Sequence, residues 1–154
     1  MAEQNADDRE VVSTRLIDAP RQVVFQTFSD PEQLAQWWGP SGFTNTIKKF
    51  DFRPGGDWHL TMHGPGGTDY RNESVFVEIV EPERIVFDHL RTMHRFLMTM
   101  TFFEFDGKTR VTWRQRFESV AELEKVRAFV PAANEQNFDR LASHLAQMQE
   151  SREN

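Results

Sequence analysis

The residues of this chain that could do chemistry are five histidines and a scatter of carboxylates. His59 and His63 stand four apart, a spacing that serves a metal ion on a helix. Leu60 and Met62 alternate with them, which is a strand pattern, and four strand residues cover about 13 Å, too far for one shared ion. Both fall on the face opposite Trp58, hence outward. His89 and His94 bracket a turn with Asp88 adjacent, and a solvent-exposed hairpin end accounts for them; no metal site is expected. General acid–base work needs a carboxylate or imidazole inside a pocket. Glu78, Asp88, His89 and Glu135 are the candidates, but Glu73-Ser-Val-Phe-Val-Glu78 is apolar at both parities, so alternation does not orient it. There is no G-x-S-x-G elbow and no P-loop, and Gly64-Pro-Gly-Gly67 reads as a hairpin turn. No catalytic set is assigned and no cofactor is expected.

The other source of chemistry is apolar. Fourteen Phe and four Trp accompany a single Tyr in a chain that is 27% charged. So many rings require a large interior, and that interior is either a filled core or a pocket. At 154 residues the chain has the size of one domain, and such a chain buries roughly 70% of its unfolded surface. With no Cys it uses no disulfide, thiolate ligand or catalytic thiol. Its formal charge of −6 argues against nucleic-acid binding, which needs a surplus of cations on one face. The acidic start MAEQNADDRE has no signal-peptide character, and no apolar run reaches the ~20 residues of a membrane span. A cytoplasmic protein that avoids membranes is expected.

Several elements must position these groups. Alternation from Arg9 to Ile17 marks a strand, with Val12, Thr14 and Leu16 on one face and Val11, Ser13, Arg15 and Ile17 on the other. Asp18-Ala-Pro20 predicts a helix start with Asp18 as cap, and Asp30-Pro31-Glu32 predicts a second, short helix ending at Trp37-Trp38-Gly39. Strands follow from Phe43: one carries Trp58, Leu60 and Met62, one runs from about Thr68 to Ile79, and one runs from Arg84 to Arg91. Phe96–Phe105 and Lys108–Phe117 flank Asp106-Gly107, the dipeptide of a type I′ hairpin. Ser119-Val-Ala-Glu122 has capping-box spacing. The helix it opens is expected to reach Phe129, break at Pro131 and resume to about Glu150, with Phe138, Leu141, Leu145 and Met148 on one stripe. The order predicts an α+β fold in which a curved antiparallel sheet of about seven strands grips a long carboxy-terminal helix, with two short helices after the first strand. A single domain is expected over 9–150, with flexible tails at 1–8 and 151–154.

Four segments stand in a familiar order: Ser13-Thr-Arg-Leu-Ile-Asp-Ala-Pro-Arg21, Ser29-Asp-Pro-Glu-Gln-Leu-Ala-Gln-Trp-Trp-Gly-Pro40, Phe52-Arg-Pro-Gly-Gly56 and Val80-Glu-Pro-Glu-Arg-Ile-Val-Phe87. With the closing Asn137-Phe-Asp-Arg-Leu-Ala-Ser-His-Leu145 they resemble the SRPBCC (START, birch-pollen-allergen-like) superfamily. The branch is the one similar to the carboxy-terminal domain of the activator of the heat-shock protein 90 ATPase. The resemblance covers about residues 11 to 148 and implies a helix-grip fold. Its shared residues are turn glycines, capping aspartates and core aromatics, and its members include ligand binders, cochaperone modules and a few enzymes. Many relatives carry a Gly and an aromatic residue where this chain has Asn134-Glu135, so an amide and a carboxylate replace a ring.

The arrangement leaves a space between the sheet and the last helix. Alternation puts Trp58, Leu60, Met62, Met98, Met100, Phe102, Val111 and Trp113 on its sheet side. Phe129, Phe138 and Leu141 are expected on its helix side, with Trp37, Trp38 and Phe43 near the mouth. Tyr70, Asn72, Asn134 and Gln115 could orient a ligand, since a buried polar group needs a partner. The leading expectation is a binding domain for a small hydrophobic or aromatic molecule, without essential catalysis. A cochaperone-like interaction module with a chaperone as partner is the alternative. It is disfavoured because the eukaryotic activator has an additional amino-terminal domain for which 154 residues leave no room. An enzyme acting on an apolar substrate in the same space is a minor third reading, and homodimerisation is left open.

Overall fold

A computed structural model describes residues 8–91 and 94–153, with no side-chain description for residues 91 and 151–153. In chain order the elements are β1 (Glu10–Ile17), α1 (Arg21–Ser29), α2 (Pro31–Trp37), β2 (Thr44–Phe50), β3 (Asp57–His63), β4 (Asp69–Val80), β5 (Arg84–Arg91), β6 (Phe96–Phe105), β7 (Lys108–Phe117), α3 (Val120–Val126) and α4 (Val130–Glu153). One antiparallel sheet has the strand order β1-β7-β6-β5-β4-β3-β2. Only the β1–β7 pairing is non-sequential, because α1 and α2 carry the chain from one edge of the sheet to the other. This is the expected α+β helix-grip architecture, with the inner face of the sheet closed over by α4.

Local chemistry accounts for most boundaries. Asp106 and Gly107 both take positive φ (53° and 74°), the requirement of a type I′ turn, and they lock the β6–β7 register. Asp30 accepts from the Glu32 N–H at the start of α2, and Ser119 Oγ accepts from the Glu122 N–H at the start of α3. Three expectations are corrected. The first turn of α1 is capped from across the molecule, where Glu104 Oε1 of β6 accepts from the Arg21 N–H at 2.7 Å, and Asp18 does not cap it. The break between α3 and α4 falls at residues 127–129, before Pro131. Proline fits there because the first turn of α4 has no donor to lose. Finally, α4 continues past Glu150 to Glu153; of the expected tails, residues 1–7 and 154 lie outside the described residues.

The core lies between the sheet and the helices. Residues Asn134, Asn137, Phe138, Leu141, His144 and Leu145 of α4 are buried, at the three- and four-residue spacing of one helical stripe. They meet Ile17, Phe76, Ile85, Phe87, Met100, Phe102, Val111 and Trp113 from the sheet, with Val24, Phe25, Phe28, Leu34 and Trp37 from α1 and α2. Each such side chain contributes about 1.5–3 kcal/mol relative to an exposed one. A second cluster of Val11, Phe117, Leu123 and Val126 seats α3 on the sheet end.

Candidate functional site

Alternation on β3, β6 and β7 turns Trp58, Leu60, Met98, Trp113 and Gln115 to the inner face, where each is nearly fully buried. Their inner ends lie beneath the amino-terminal part of α4. They border a cavity of about 160 Å³, completed by Trp38, Gly39, Pro40, Met62, Asn72, Phe87, His89, Phe96, Ala133, Asn134 and Asn137. Half-buried Pro40, Met62, Asn72, Phe96 and Ala133 form its outer rim. A larger concavity, about 520 Å³, lies between the β1–α1 turn and Leu145, Met148 and Gln149 of α4. Its walls include the exposed Asp18, Pro20, Gly107 and Gln149, whereas deep burial of the walls is what a ligand site requires.

The segment after α2 is held against the cavity by α4. Arg140 donates to the carbonyl oxygens of Trp38, Gly39 and Pro40, each at 3.0 Å, and to that of Gln36 at 3.1 Å. Burial lowers the pKa of this guanidinium, and four carbonyl dipoles compensate the lost water. Asn137 accepts from the Gly39 N–H at 3.2 Å and donates to the Trp37 carbonyl at 3.3 Å. Gly39 has φ +97°, a backbone conformation that demands glycine, and a Cβ there would displace only the flexible end of Met62, 2.7 Å away. On the opposite wall Asn134 donates to Gln115 Oε1 at 2.7 Å and to Ser13 Oγ at 3.1 Å, tying α4 to β7 and β1. His89 lies over Phe96, ring centroids 4.6 Å apart, with Ser74 Oγ 3.4 Å from its Nδ1.

Of the residues singled out from sequence, Trp38, Trp58, Leu60, Met62, Met98, Trp113, Gln115, Asn72 and Asn134 surround this cavity. Others do not. Trp37 is buried in the core with Nε1 donating to the Thr27 carbonyl at 3.2 Å. Met100, Phe102, Phe138, Leu141 and Val111 are likewise core packing. Phe43 and Tyr70 pack on each other, centroids 5.9 Å apart, away from the cavity. Phe129 falls in the turn before α4 and is 49% exposed, because the break between the helices lies at residues 127–129, ahead of Pro131.

His89 is also corrected: it is buried on the cavity wall, not part of an exposed hairpin end. It continues the inward alternation of Ile85 and Phe87 along β5, which pairs regularly with β6. On β4 the register shift between Phe76 and Glu78 leaves Val77 between paired residues. That bulge explains why both parities of the run are apolar. Residues 92 and 93 of the same hairpin lie outside the described residues. Glu78 and Asp88 face outward in ion pairs with Arg84 (2.8 Å) and Arg95 (2.9 Å). Glu135 pairs with Arg15 at 2.8 Å on the flank of α4, so of Asn134-Glu135 only the amide reaches the cavity. Gly39, Pro40, Phe87, Phe96, Ala133 and Asn137 were not foreseen. The three- and four-residue spacing Asn134, Asn137, Phe138 was the available signal for Asn137.

Outside the cavity, His63 Nε2 is 2.7 Å from Thr46 Oγ1, and its Nδ1 is 2.8 Å from Asp69 Oδ1. The order hydroxyl, imidazole, carboxylate is that of a nucleophile relay. It lies on the outer face of β2, β3 and β4 with Thr46 and Asp69 exposed, where water competes for each bond. Among the described residues no group of three His, Asp or Glu is placed to hold a metal ion, and no helix is long and apolar enough to cross a membrane.

Solved structures share this fold from end to end. A protein from Mycobacterium smegmatis is 26% identical, with 92% of this chain matched to 93% of that one at a TM-score of 0.80. A protein from Nitrosomonas europaea is 18% identical over 94% of this chain and 99% of that one, at a TM-score of 0.84. The AHSA1 protein from Silicibacter pomeroyi is 20% identical over 90% and 99%, at a TM-score of 0.74. No functionally curated protein matches the chain at a significant level. The family described as activator of Hsp90 ATPase homolog 1-like protein matches residues 18–146, from the end of the first strand to the last helix, and the chain belongs to that family.

Proposed function

We propose that this protein binds a small apolar or aromatic molecule in the cavity between the sheet and α4. The observation that carries the reading is the composition of the wall: three indole rings, two Phe rings and two Met side chains around about 160 Å³ of space. An engineered apolar cavity of about 150 Å³ holds benzene, so this one suits a single-ring molecule. Met side chains adapt to the shape of an occupant, and a few fixed amides orient it.

Native mass spectrometry of the purified protein, followed by a thermal-shift screen of single-ring metabolites, tests the reading. A ligand at a hundredfold excess over its Kd adds about 2.7 kcal/mol of stability. We expect a co-purifying small molecule, or an upward shift that Trp58→Ala abolishes. No bound mass and no shift across the panel would overturn the reading and favour a partner-binding role for the surface.

A further inference from the structure

The cavity is walled deeply enough that an aromatic ring cannot enter unless a side chain at its mouth moves. Behind the rim, Trp58, Leu60, Phe87, Met98 and Trp113 are each no more than 3% exposed. The rim itself consists of half-buried Pro40, Met62, Asn72, Phe96 and Ala133. All but one of these are held in place. Pro40 is a closed ring whose carbonyl accepts from Arg140 at 3.0 Å, and Ala133 is a methyl group in the first turn of α4. Asn72 donates to the Tyr70 carbonyl at 3.1 Å. Phe96 lies among the rings of His89, Phe117 and Phe87, with centroids 4.6, 5.5 and 6.5 Å away.

Met62 is the exception. Its unbranched side chain turns about every bond and carries no donor, so dispersion alone sets its place. It reaches from β3 to the segment after α2, where its Cε rests on Gly39 and would stand 2.7 Å from a Cβ there. Gly39 cannot withdraw, because Asn137 accepts from its N–H and Arg140 donates to its carbonyl. The mouth therefore has a rigid backbone edge with one soft side chain lying against it. Resting on the ligand-binding reading above, we propose that Met62 is the gate of the cavity. It is closed when its methyl rests on Gly39 and open when the side chain turns away toward solvent. An open form populated to about 10% or less slows entry at least about tenfold, since only open molecules admit a ligand.

Met98→Ala is the control, because it removes the same group from the sealed wall. The indoles of Trp38, Trp58 and Trp113 at the cavity report entry through their fluorescence. Two neutral probes are used: nitrobenzene as a single-ring ligand, and acrylamide as a small quencher that needs no binding. In stopped flow, nitrobenzene is expected to associate about tenfold faster with Met62→Ala than with the unmodified protein, and at an unchanged rate with Met98→Ala. Met62→Leu, one atom shorter, is expected to fall between, and it carries the same comparison should Met62→Ala fail to fold. An association rate unchanged in the Met62 variants, with only dissociation faster, would make Met62 plain wall and overturn the gate while leaving ligand binding intact. Binding of nitrobenzene to none of the proteins would overturn the single-ring reading, and acrylamide then decides the gate alone. Quenching that rises in Met62→Ala and not in Met98→Ala supports it; equal quenching in the two overturns it.

Discussion

The inner face of the sheet is solid at one end and hollow at the other. Under α1 and α2, Phe25, Phe28, Phe50, Phe52, Phe76 and Phe102 interlock edge to face. Phe25–Phe102, Phe28–Phe102 and Phe52–Phe76 have centroids at 5.5, 5.4 and 5.1 Å. The gap left among these rings is about 10 Å³. Under the start of α4 the same strands enclose about 160 Å³. Both ends are built from alternating inward residues, so hydrophobic periodicity does not distinguish them. What differs is directionality. Phe side chains carry no polar atom and can settle wherever dispersion is best. Gln115, Asn134 and Asn137 are held by hydrogen bonds to Ser13, to one another and to the backbone of residues 37 and 39, and cannot swing inward to close the gap. Amides on the helix side, where an apolar stripe would have filled the space, keep the hollow open.

The largest effect that sharpens this contrast is on stability. Phe102→Ala at the solid end is expected to cost about 3–5 kcal/mol, and Met98→Ala on the cavity wall about 2 kcal/mol, because Met98 already borders empty space. Urea unfolding measures both, and equal costs would mean that the two ends are packed alike. Next in size is a filling substitution. Ala133→Leu on the cavity rim should add about 0.5–2 kcal/mol of stability, while lowering affinity for any single-ring ligand by more than tenfold in titration calorimetry. Unchanged affinity would place the ligand elsewhere.

The smallest effect concerns the seam between α4 and α2, where His144 Nε2 lies 3.2 Å from Gln33 Oε1. Burial lowers the pKa of His144 below its ordinary 6.5. The unfolded chain therefore binds the proton more tightly than the folded one, and stability rises with pH across that window. The contribution is complete above the unfolded pKa and is lost as pH falls from there toward the depressed folded value. Melting curves between pH 7.5 and about 5 should show a drop that His144→Gln reduces. An equal drop in both proteins would assign the sensitivity to other groups.

How much of this was legible varied with the range of the interaction responsible. The β6–β7 hairpin is encoded by two residues, Asp106 and Gly107, whose positive φ needs no distant partner. The caps Asp30 and Ser119 are likewise local. The start of α1 was legible but its cap was not, because Glu104 is 83 positions away along the chain. His89 was misplaced at the hairpin end, although the alternation of Ile85 and Phe87 in its own strand carries it inward. Phe102 and Trp113 follow the same alternation on paired strands and both belong to the core, yet only Trp113 borders the cavity.

Binary pattern, turn chemistry and capping by themselves determined a seven-stranded antiparallel sheet closed by a carboxy-terminal helix, because those signals act within a few residues. Tertiary structure alone decided where the interior stays open and which polar atoms face the opening. A void is the difference between the volume that distant elements enclose and the volume their side chains occupy, and no local pattern carries that difference. The same holds for the unpaired indole donors. Trp37, Trp58 and Trp113 are one residue type in similar burial, and among the described residues the surrounding fold supplies an acceptor to the first and withholds it from the other two.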